Sequence, residues 1–450
     1  MTASTLAPDT LTRRKVLALA LPIMAANVAS PLVGLVDIAV IGRTGSTSDI
    51  AAVALGVLIF NTLYWALGFL RMSSTALAAQ ADGAGEQGEA RATLFRGALV
   101  GAALGLIFVV VQGPLSQAAF AALSGGEATE AGGRDYFDAR IWGAPAALAG
   151  FAVYGWLIGM GRTGAALGLQ IALNLVNAAL SILFVVRFDW GVEGVAAASA
   201  ASQWIALIAA GFIVWRVLRS RSCAPRKRIL DTAALSRLFT VNRDIFLRTL
   251  ALLAGMWWFN EASLREGDAI LAGNAILLQF IGIAAYVLDA FAHVTETLAG
   301  KAKGAKDWPG LRRAMRLASE LALVGAALLS LAFWVFGAAF IALMTTDEAT
   351  RAVALAFLPF CALAPLIGAP SWQLDGLMIG TTQGPLMRNA MIAALVIYLA
   401  LDFWLRPWLG GVGLWLAFLG YYAVRAVTLS LGLPGLKRQF ETSAPASPAP

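Results

Sequence analysis

The sequence predicts an all-α integral membrane protein with twelve transmembrane helices, and three observations lead to this fold class. Of the 450 residues, 59% are hydrophobic and only 13% are charged, whereas soluble domains are nearer half apolar and a quarter charged. The apolar residues form long runs, and about 20 such residues cross a hydrocarbon core roughly 30 Å thick. Apolar and polar residues do not alternate within the runs, which argues against a β-barrel.

Twelve apolar segments follow one another along the chain. They cover residues 16–42, 50–80, 97–123, 137–160, 165–187, 193–216, 243–264, 269–300, 316–344, 351–378, 387–405 and 412–436. The first segment follows a run of three basic residues, as a signal peptide would, but it is too long and lacks a clean cleavage site. We therefore expect it to remain in the mature protein.

The loops between the segments differ in charge. The loop at 216–243 holds eight basic residues and the loop at 301–316 holds six, whereas the opposite loops carry about one arginine each, Arg140 among them. Positively charged loops remain in the cytoplasm, so both termini are predicted to be cytoplasmic. The formal net charge of +7 is therefore mainly a topology signal. No aromatic-basic module accompanies it, and a nucleic-acid partner is not expected.

The central basic loop divides the chain into two halves that resemble each other. Residues 69–91 align without gaps to residues 290–312, and residues 159–170 echo residues 378–389. Six segments per half is an even number, so both halves enter the membrane in the same orientation and form a parallel repeat about the membrane normal. A bundle duplicated for stability alone is the alternative, but paired bundles are the usual construction of secondary transporters.

These patterns give the domain organisation. We expect a disordered N-terminus at 1–12, an N-terminal six-helix lobe at 13–218, a basic cytoplasmic linker at 219–241, a C-terminal six-helix lobe at 242–436 and a disordered tail at 437–450. The tail is rich in Pro, Ala and Ser, which disfavours a packed core. The two cysteines, Cys223 and Cys361, offer neither a disulfide framework nor a metal-ligand spacing, and we expect no metal and no cofactor.

The first segment contains a single charged residue. Asp37, in "PLVGLVDIAVIG" (31–42), lies five residues before the outer end of the segment, about 8 Å deep at 1.5 Å per residue. Ionisable groups at membrane depth are costly and are functional candidates by default. A poorly solvated carboxylate can take up a proton near neutral pH. Asp37 is therefore predicted to bind a proton, with a structural hydrogen bond to a neighbouring helix as the alternative.

The fifth segment carries three polar side chains in "LQIALNLVNAALSILFVV" (169–186). Asn174 and Asn177 lie in its centre, and Ser181 follows Asn177 by four residues on the same helix face. Amides at helix interfaces also serve simply to link helices, so these residues alone are consistent with either function or structure.

The eighth and tenth segments contain further ionisable residues. In "YVLDAFAHVTETL" (286–298), Asp289, His293 and Glu296 fall on one stripe of a helix. Such a stripe suits a proton relay, although a lone histidine is more often a packed core residue. Asp375 lies near the cytoplasmic end of its segment, where it can cap the helix or form an ion pair. Arg248 requires an acidic partner that the sequence does not identify.

Flexible and aromatic side chains are candidates for lining an adaptable cavity. Met24, Met72 and Met256 are three of them, because the thioether adapts to many shapes. Arg71, which also needs an acidic partner, lies beside Met72. Such residues more often face lipid or the core, and the cavity role is the alternative.

Seven stretches together resemble the multidrug and toxic compound extrusion (MATE) family, in its DinF-like branch. They are "PLVGLVDIAVIGRTG" (31–45), "AAVALGVLIFNTLYWALGFLRMSSTALAAQADGAG" (51–85), "LNLVNAALSILFVV" (173–186), "NRDIFLRTLALL" (242–253), "GDAILAGNAILLQF" (267–280), "DAFAHVTETLAGKAKGAKD" (289–307) and "LDGLMIGTTQGPLMRNAM" (374–391). They span nearly the whole chain in order. The resemblance implies a V-shaped pair of six-helix lobes and drug export driven by inward flow of H⁺ or Na⁺.

The resemblance also implies a coupling site in the N-terminal lobe. The aspartate of the family motif VDxAVxG is the coupling group, and here it is Asp37. The fifth helix of the family usually reads Asn-x-x-x-Asp; Asn177 matches it, but Ser181 stands where the acid is expected. Ser199 stands where the sixth helix of the family has a threonine. In the second half, the acids of the eighth segment match the pattern of the branch.

The combined prediction is a secondary active multidrug efflux transporter. We expect an H⁺-coupled antiporter that exports amphipathic or cationic organic compounds and acts as a monomer in the bacterial cytoplasmic (inner) membrane. A proton is favoured over Na⁺ because a hard cation needs several oxygen ligands, whereas the pocket offers one carboxylate. A flippase for a lipid-linked precursor or another specific metabolite is the alternative; it would need a cationic cavity, whereas the candidate buried groups are mostly acidic. A membrane-embedded enzyme is less favoured, since no nucleophile–base constellation is present.

Overall fold

The computed structural model describes residues 11–122, 126–218 and 226–443, and every regular element within these ranges is a helix. The first half contains α1 (Arg13–Ala29), α2 (Leu32–Thr44), α3 (Thr47–Ala66), α4 (Phe69–Gly83), α5 (Gln87–Val110), α6 (Gln112–Ala122), α7 (Glu127–Arg140), α8 (Ala144–Gly159), α9 (Thr163–Ile182), α10 (Gly191–Leu218) and the short α11 (Arg226–Ile229). The second half contains α12 (Thr232–Arg265), α13 (Asp268–Gly304), α14 (Trp308–Met344), α15 (Glu348–Gly380), α16 (Gly384–Leu409), α17 (Gly411–Ser430) and α18 (Leu433–Ser443).

The predicted all-α membrane fold is confirmed. Eleven helical spans in the described residues are long and apolar enough to cross a membrane. The seventh predicted segment is also helical, as part of the 34-residue α12, but it is less apolar because it carries Arg243, Asp244 and Arg248. Helix α12 begins at Thr232, so the second part of the basic stretch 219–241 forms its first turns.

The chain packs into two compact units. Of the described residues, the N-terminal unit comprises those within Ala25–Ala81 and Glu86–Leu238, and the C-terminal unit comprises those up to Met24, Asp82–Gly85 and those from Phe239 onward. Each unit has its own apolar core. The core of the N-terminal unit is centred on Phe60 and Phe137, and that of the C-terminal unit on Trp415 and Phe418.

Several apolar segments that the sequence predicts as single helices are interrupted. Helices α1 and α2 are separated at Ser30 and Pro31, where the proline has no N–H to continue the helical hydrogen bonds. Helix α7 joins α8 through the 3₁₀ turn Ile141–Gly143, and α9 ends in the π-helical turn Leu183–Arg187. Such breaks leave the apolar character of a segment unchanged, and apolar run length alone therefore does not show them.

The C-terminal end differs from the prediction. Residues 437–443, expected in a disordered tail, belong to α18. Phe440 is 5% exposed and its ring lies 5.4 Å from that of Trp308, between centroids. Burial of this aromatic pair stabilises the helix against the start of α14. Residues 1–10, residues 444–450 and Cys223 lie outside the described residues.

The predicted repeat of the two halves is visible in how the helices approach each other within each unit. A Cβ atom on Gly155 of α8 would lie 2.2 Å from the carbonyl oxygen of Arg71 in α4. In the second half, a Cβ atom on Gly376 of α15 would lie 2.3 Å from the carbonyl oxygen of Ala292 in α13. Each residue of the second contact follows its counterpart in the first contact by the same sequence offset that relates residues 290–312 to residues 69–91. The same glycine-mediated packing is therefore built twice.

Backbone angles fix the register of the repeat. The residues with positive φ include Gly161 (75°) and Thr382 (53°), at matching positions after α8 and α15. Two further pairs, Gly85 with Lys306 and Asp189 with Gly410, show the same relationship. The predicted pairing of 159–170 with 378–389 is therefore wrong by two residues, because identical glycines and small residues allow the alignment to slip.

Gly155→Ala is expected to lower the thermal stability of the purified protein. The added methyl group would overlap backbone, and overpacking of this kind costs about 1–3 kcal/mol. Gly150→Ala on the same helix is the matched control, because nothing lies within 4 Å of its Cβ position and alanine favours a helix more than glycine does. Thermal unfolding in detergent measures both. Equal midpoints for the two variants would contradict the close approach of α8 and α4.

Candidate functional site

The break in the first segment is held by a side chain from α9. Helix α1 ends at Ala29, and Asn174 Nδ2 donates a hydrogen bond to the Ala29 carbonyl oxygen at 2.6 Å. Asn174 Oδ1 accepts a hydrogen bond from Gln170 Nε2 at 3.1 Å. The amide thus satisfies a carbonyl group that the break has released from the helix. Asn174, predicted with the Asp37 group, therefore bonds to the helix break beside that group.

Asp37 lies on α2 and is completely buried. Ser181 Oγ of α9 donates to Asp37 Oδ1 at 3.2 Å, and Ser199 Oγ of α10 donates to Asp37 Oδ2 at 2.9 Å. Asn177 Nδ2, one turn before Ser181, donates to Ser199 Oγ at 2.9 Å. The structure therefore brings together four of the residues that the sequence singles out, from three different helices.

Arg140 is the charged partner of Asp37. It is the last residue of α7 and is 7% exposed. Its Nη1 lies 3.5 Å from Asp37 Oδ2 and donates to the Tyr136 hydroxyl oxygen at 2.7 Å. The guanidinium carbon also lies 5.3 Å from the centroid of the Phe60 ring. The site therefore contains a buried ion pair whose cation is held by two aromatic residues as well as by the carboxylate.

The predicted placement of Arg140 in an outer loop is wrong. Helix α7 begins at Glu127 and passes directly into α8, so the arginine is enclosed by the bundle and does not lie in a loop. The depth of Arg140 within its predicted segment was a signal from which its burial could have been predicted. Arg140 lies three residues inside the fourth apolar segment and Asp37 five residues inside the first, and both segment ends are predicted on the outer side. Two opposite charges at similar depth are expected to pair, because an unpaired charge is costly there.

The Asp37 site is electrically balanced. It holds one carboxylate and one guanidinium, with Ser181 in the place of a second acid. Removing either partner of a buried pair leaves an uncompensated charge, which costs several kcal/mol. Asn177 Oδ1 has no hydrogen-bond partner among the described residues. The site therefore keeps one spare acceptor close to the carboxylate.

The stripe of acids on α13 separates into two clusters. His293 Nδ1 lies 3.4 Å from Glu296 Oε2, and the Glu296 side chain is fully buried. Asp289, two turns earlier, is half-buried and interacts through charge with Arg248 and Arg425. Asp289 and Glu296 therefore lie along one side of the same helix, as predicted, but they interact with different partners.

Asp375 forms the centre of a buried charged cluster in the C-terminal unit. The carboxylate of Asp375 on α15 pairs with Arg248 of α12 and with Arg425 of α17. All three residues are at most 6% exposed. The acidic partner that Arg248 requires is therefore Asp375. Arg425 was not predicted, although it is the only charged residue in the segment 412–436.

The four cavity candidates are all half-buried. Arg71 and Met72 lie on α4 in the N-terminal unit, whereas Met24 and Met256 belong to the C-terminal unit. Arg71 interacts through charge with Tyr154 of α8. Their role in a substrate cavity stays a prediction. Among the described residues, no group of three or more His, Cys, Asp or Glu side chains could hold a metal ion.

In the described residues, eleven apolar helical spans and the long α12 form two repeated units. Together with the ion pairs buried inside the helix bundles, they define a polytopic membrane transporter. The profile of the MatE family matches residues 22–183 and 245–404. The chain belongs to this family, as the resemblance indicated, and it is a transporter and not an enzyme.

Individual proteins show the same relationship over nearly the full length. The chain is 33% identical over 415 residues to DNA damage-inducible protein F of Escherichia coli K12, covering 92% of this chain and 90% of that protein. It is 27% identical over 460 residues to multidrug resistance protein PmpM of Pseudomonas aeruginosa, covering 95% and 92%. Its fold is similar to that of a MOP superfamily transporter from Pyrococcus furiosus, with a TM-score of 0.85, 16% identity and coverage of 95% and 96%.

Proposed function

We propose that this protein is a proton-coupled antiporter that exports small amphipathic or cationic organic compounds across the bacterial cytoplasmic membrane. Family membership supports export, as does the similarity to a protein named for multidrug resistance. The observation that carries proton coupling is the complete burial of Asp37 among two hydroxyl groups and one guanidinium. The asymmetry of basic loops supports cytoplasmic termini. The monomeric state stays a prediction.

The geometry supports a proton over Na⁺ as the coupling ion. A hard cation exchanges its water shell for several oxygen ligands, and negative charge strengthens such a site. The hydroxyl groups of Ser181 and Ser199 could supply oxygens, but Arg140 already places a positive charge 3.5 Å from the carboxylate. That charge would repel a metal cation, with little screening in a buried site. A proton needs only one base, and its uptake makes Asp37 neutral.

Proton uptake would change the partners of Asp37. The neutral carboxyl group loses most of its attraction to Arg140 and gains an O–H donor. Asn177 Oδ1, which lacks a partner among the described residues, is the available acceptor. Asp37 follows the break at Ser30 and Pro31 by two turns of α2. A change in its partners is therefore expected to reorient α2 within the N-terminal unit, as a local charge change biases a movable element.

The flippase alternative is not supported. A pyrophosphate group would require cationic side chains that are not already neutralised. The described residues include four buried arginines, and each pairs with a carboxylate. The pairs are Arg96 with Glu89, Arg140 with Asp37, and Arg248 and Arg425 with Asp375.

Ethidium accumulation in cells tests the proposed export. We expect cells that express the protein to retain less ethidium than cells with an empty vector. A protonophore should remove the difference, because it collapses the proton gradient. Equal retention in both strains, or a difference that survives the protonophore, would contradict proton-driven export of this class of compound.

Ser181→Asp is expected to move the pH optimum of efflux upward. The new carboxylate would lie beside Asp37, and two adjacent carboxylates share a proton that is retained to higher pH. Ser181→Asn is the matched control, since it changes the size of the side chain in the same way without adding charge. Initial efflux rates across a pH series measure the effect. The same optimum in both variants would show that position 181 does not act on the coupling group.

A further inference from the structure

Asp402 is a second completely buried carboxylate, in the C-terminal unit, and it does not belong to the Asp375 cluster. It lies on α16, and Trp258 Nε1 of α12 donates a hydrogen bond to its Oδ2 at 2.9 Å. Arg406 Nε lies 3.2 Å from the same oxygen. On its other side, Arg406 Nη1 lies 3.8 Å from Glu266 Oε1, in the turn between α12 and α13. Asp402 therefore has an indole donor and a cationic neighbour on one of its two oxygens.

The repeat relates the surroundings of Asp402 to the Asp37 site. The last residues of α2 and α12 are separated in sequence by the same offset as Gly161 and Thr382. The first residues of α3 and α13 have this offset too. The turns after α9 and α16 keep this separation, at Asp189 and Gly410. The register is thus fixed on both helices of each pair, α2 with α9 and α12 with α16.

Three site positions have counterparts under this register: Asp37 with Trp258, Asn177 with Tyr398, and Ser181 with Asp402. In the N-terminal unit the acid lies on α2 and a donor hydroxyl lies on α9. In the C-terminal unit the donor is the indole of α12, and the acid lies on α16. The carboxylate and its donor have exchanged helices, and the carboxylate–donor pair itself is kept.

Two polar atoms at this position lack a hydrogen-bond partner in the part of the chain that the structure describes. They are Asp402 Oδ1 and the Tyr398 hydroxyl oxygen, and both residues are 0% exposed. Tyr398 precedes Asp402 by one helical turn, so the two side chains share a helix face. Buried polar atoms without partners are unfavourable. A proton on Oδ1 would turn that oxygen into a donor, for which the tyrosine oxygen is a neighbouring acceptor.

The charged and titratable neighbours of Asp402 come from α16, from the turn after α12 and from α17. They are Arg406 and Tyr398 on α16, Glu266 after α12, and Tyr421 and Tyr422 on α17 beyond Tyr398. Arg406 disfavours a metal cation at Asp402 and favours the charged carboxylate, whereas complete burial and the unpartnered Oδ1 favour a neutral carboxyl group. When Asp402 is protonated, Glu266 still gives the guanidinium a counter-charge. The side chains of Glu266 and Arg406 are 26% and 13% exposed. These two side chains therefore connect the protein surface with the buried Asp402.

We propose that Asp402 is a second proton-binding carboxylate, reached through Glu266 and Arg406. The step is a proton transfer to Oδ1, with no other bond formed or broken. It lies in a different unit from Asp37. Its part in transport rests on the proposed proton coupling, but proton binding at Asp402 is measured without transport.

Infrared difference spectra of the purified protein, recorded as the pH is lowered, test this proposal. Protonated buried carboxyl groups give separate C=O bands. We expect Asp402→Asn to remove one band and Asp37→Asn to remove a different one. Asp268→Asn, at an exposed acid, is the control and should leave both bands in place. A spectrum of Asp402→Asn with every wild-type band retained would overturn the proposal.

Tyr398→Phe keeps the test decisive where Asp402→Asn does not fold. It removes one hydroxyl group and keeps the ring, so we expect the Asp402 band to remain and to shift in frequency as its hydrogen bond is lost. A Tyr398→Phe spectrum identical to the wild-type spectrum would contradict the proposed acceptor and the proton on Oδ1. If Asp37→Asn loses its own band but keeps wild-type efflux, the function proposed for Asp37 is rejected, whereas proton binding at Asp402 is not.

Discussion

Asp37→Asn is expected to abolish proton-driven efflux in a protein that still folds and inserts. The amide has the size of the carboxyl group and its oxygen can still accept hydrogen bonds from Ser181 or Ser199, but it cannot exchange a proton. Arg140 keeps its contacts with Tyr136 and Phe60, although it loses its counter-charge. The measurement is dye efflux from cells or proteoliposomes with equal amounts of inserted protein.

The control separates a loss of coupling from a loss of stability. Combining Asp37→Asn with Arg140→Gln removes both charges, so the uncompensated buried guanidinium disappears. We expect the double variant to recover any stability that the single variant loses and to remain inactive. Efflux at the wild-type rate in Asp37→Asn would reject the assignment of Asp37 as the coupling group.

Asp375→Asn is expected to cause the largest loss of stability among single substitutions in the C-terminal unit. It removes the carboxylate between Arg248 and Arg425, and the two guanidinium groups are 6% and 3% exposed. Breaking a buried pair in this way costs about 3–5 kcal/mol. Asp289 remains nearby and can offset only one of the two positive charges. Thermal unfolding in detergent, together with the yield of inserted protein, measures the effect.

The compensating variant for this cluster adds Arg425→Met to Asp375→Asn. With one arginine replaced by an apolar side chain of similar length, Arg248 and Asp289 can balance each other. We expect the double variant to unfold at a higher temperature than Asp375→Asn alone. An unfolding midpoint of Asp375→Asn equal to that of the wild type would show that the cluster does not hold the unit together.

Much of the fold could be predicted because the membrane imposes simple constraints. Segment length and composition follow from the thickness of the hydrocarbon core, and the parallel halves follow from an even segment count. The break at Ser30 and Pro31 depends on local backbone hydrogen bonds, and the helical residues 437–443 depend on packing of Phe440 against Trp308. Neither is visible in an average over apolar residues.

The Asp37 site was predictable to the extent that family motifs mark it. Asp37, Asn177, Ser181 and Ser199 carry the motif positions, and they meet in the structure. Arg140 was missed because a charge near a segment end also fits a loop.

Asp402 was missed for a similar reason. It lies three residues before the end of the predicted segment 387–405, next to Arg406, and so fits an ion pair at a helix end. The register of the repeat was the missing information. The sequence alone allowed a slip of two residues, whereas the positive φ angles do not.

The most direct test of the central claim is transport in proteoliposomes that contain the purified protein. One set carries an imposed pH gradient in sodium-free buffer, and the other carries an imposed sodium gradient at equal pH on both sides. The proposed coupling at Asp37 predicts substrate movement driven by the pH gradient without sodium, and none driven by the sodium gradient. Transport that requires sodium and ignores the pH gradient would contradict it.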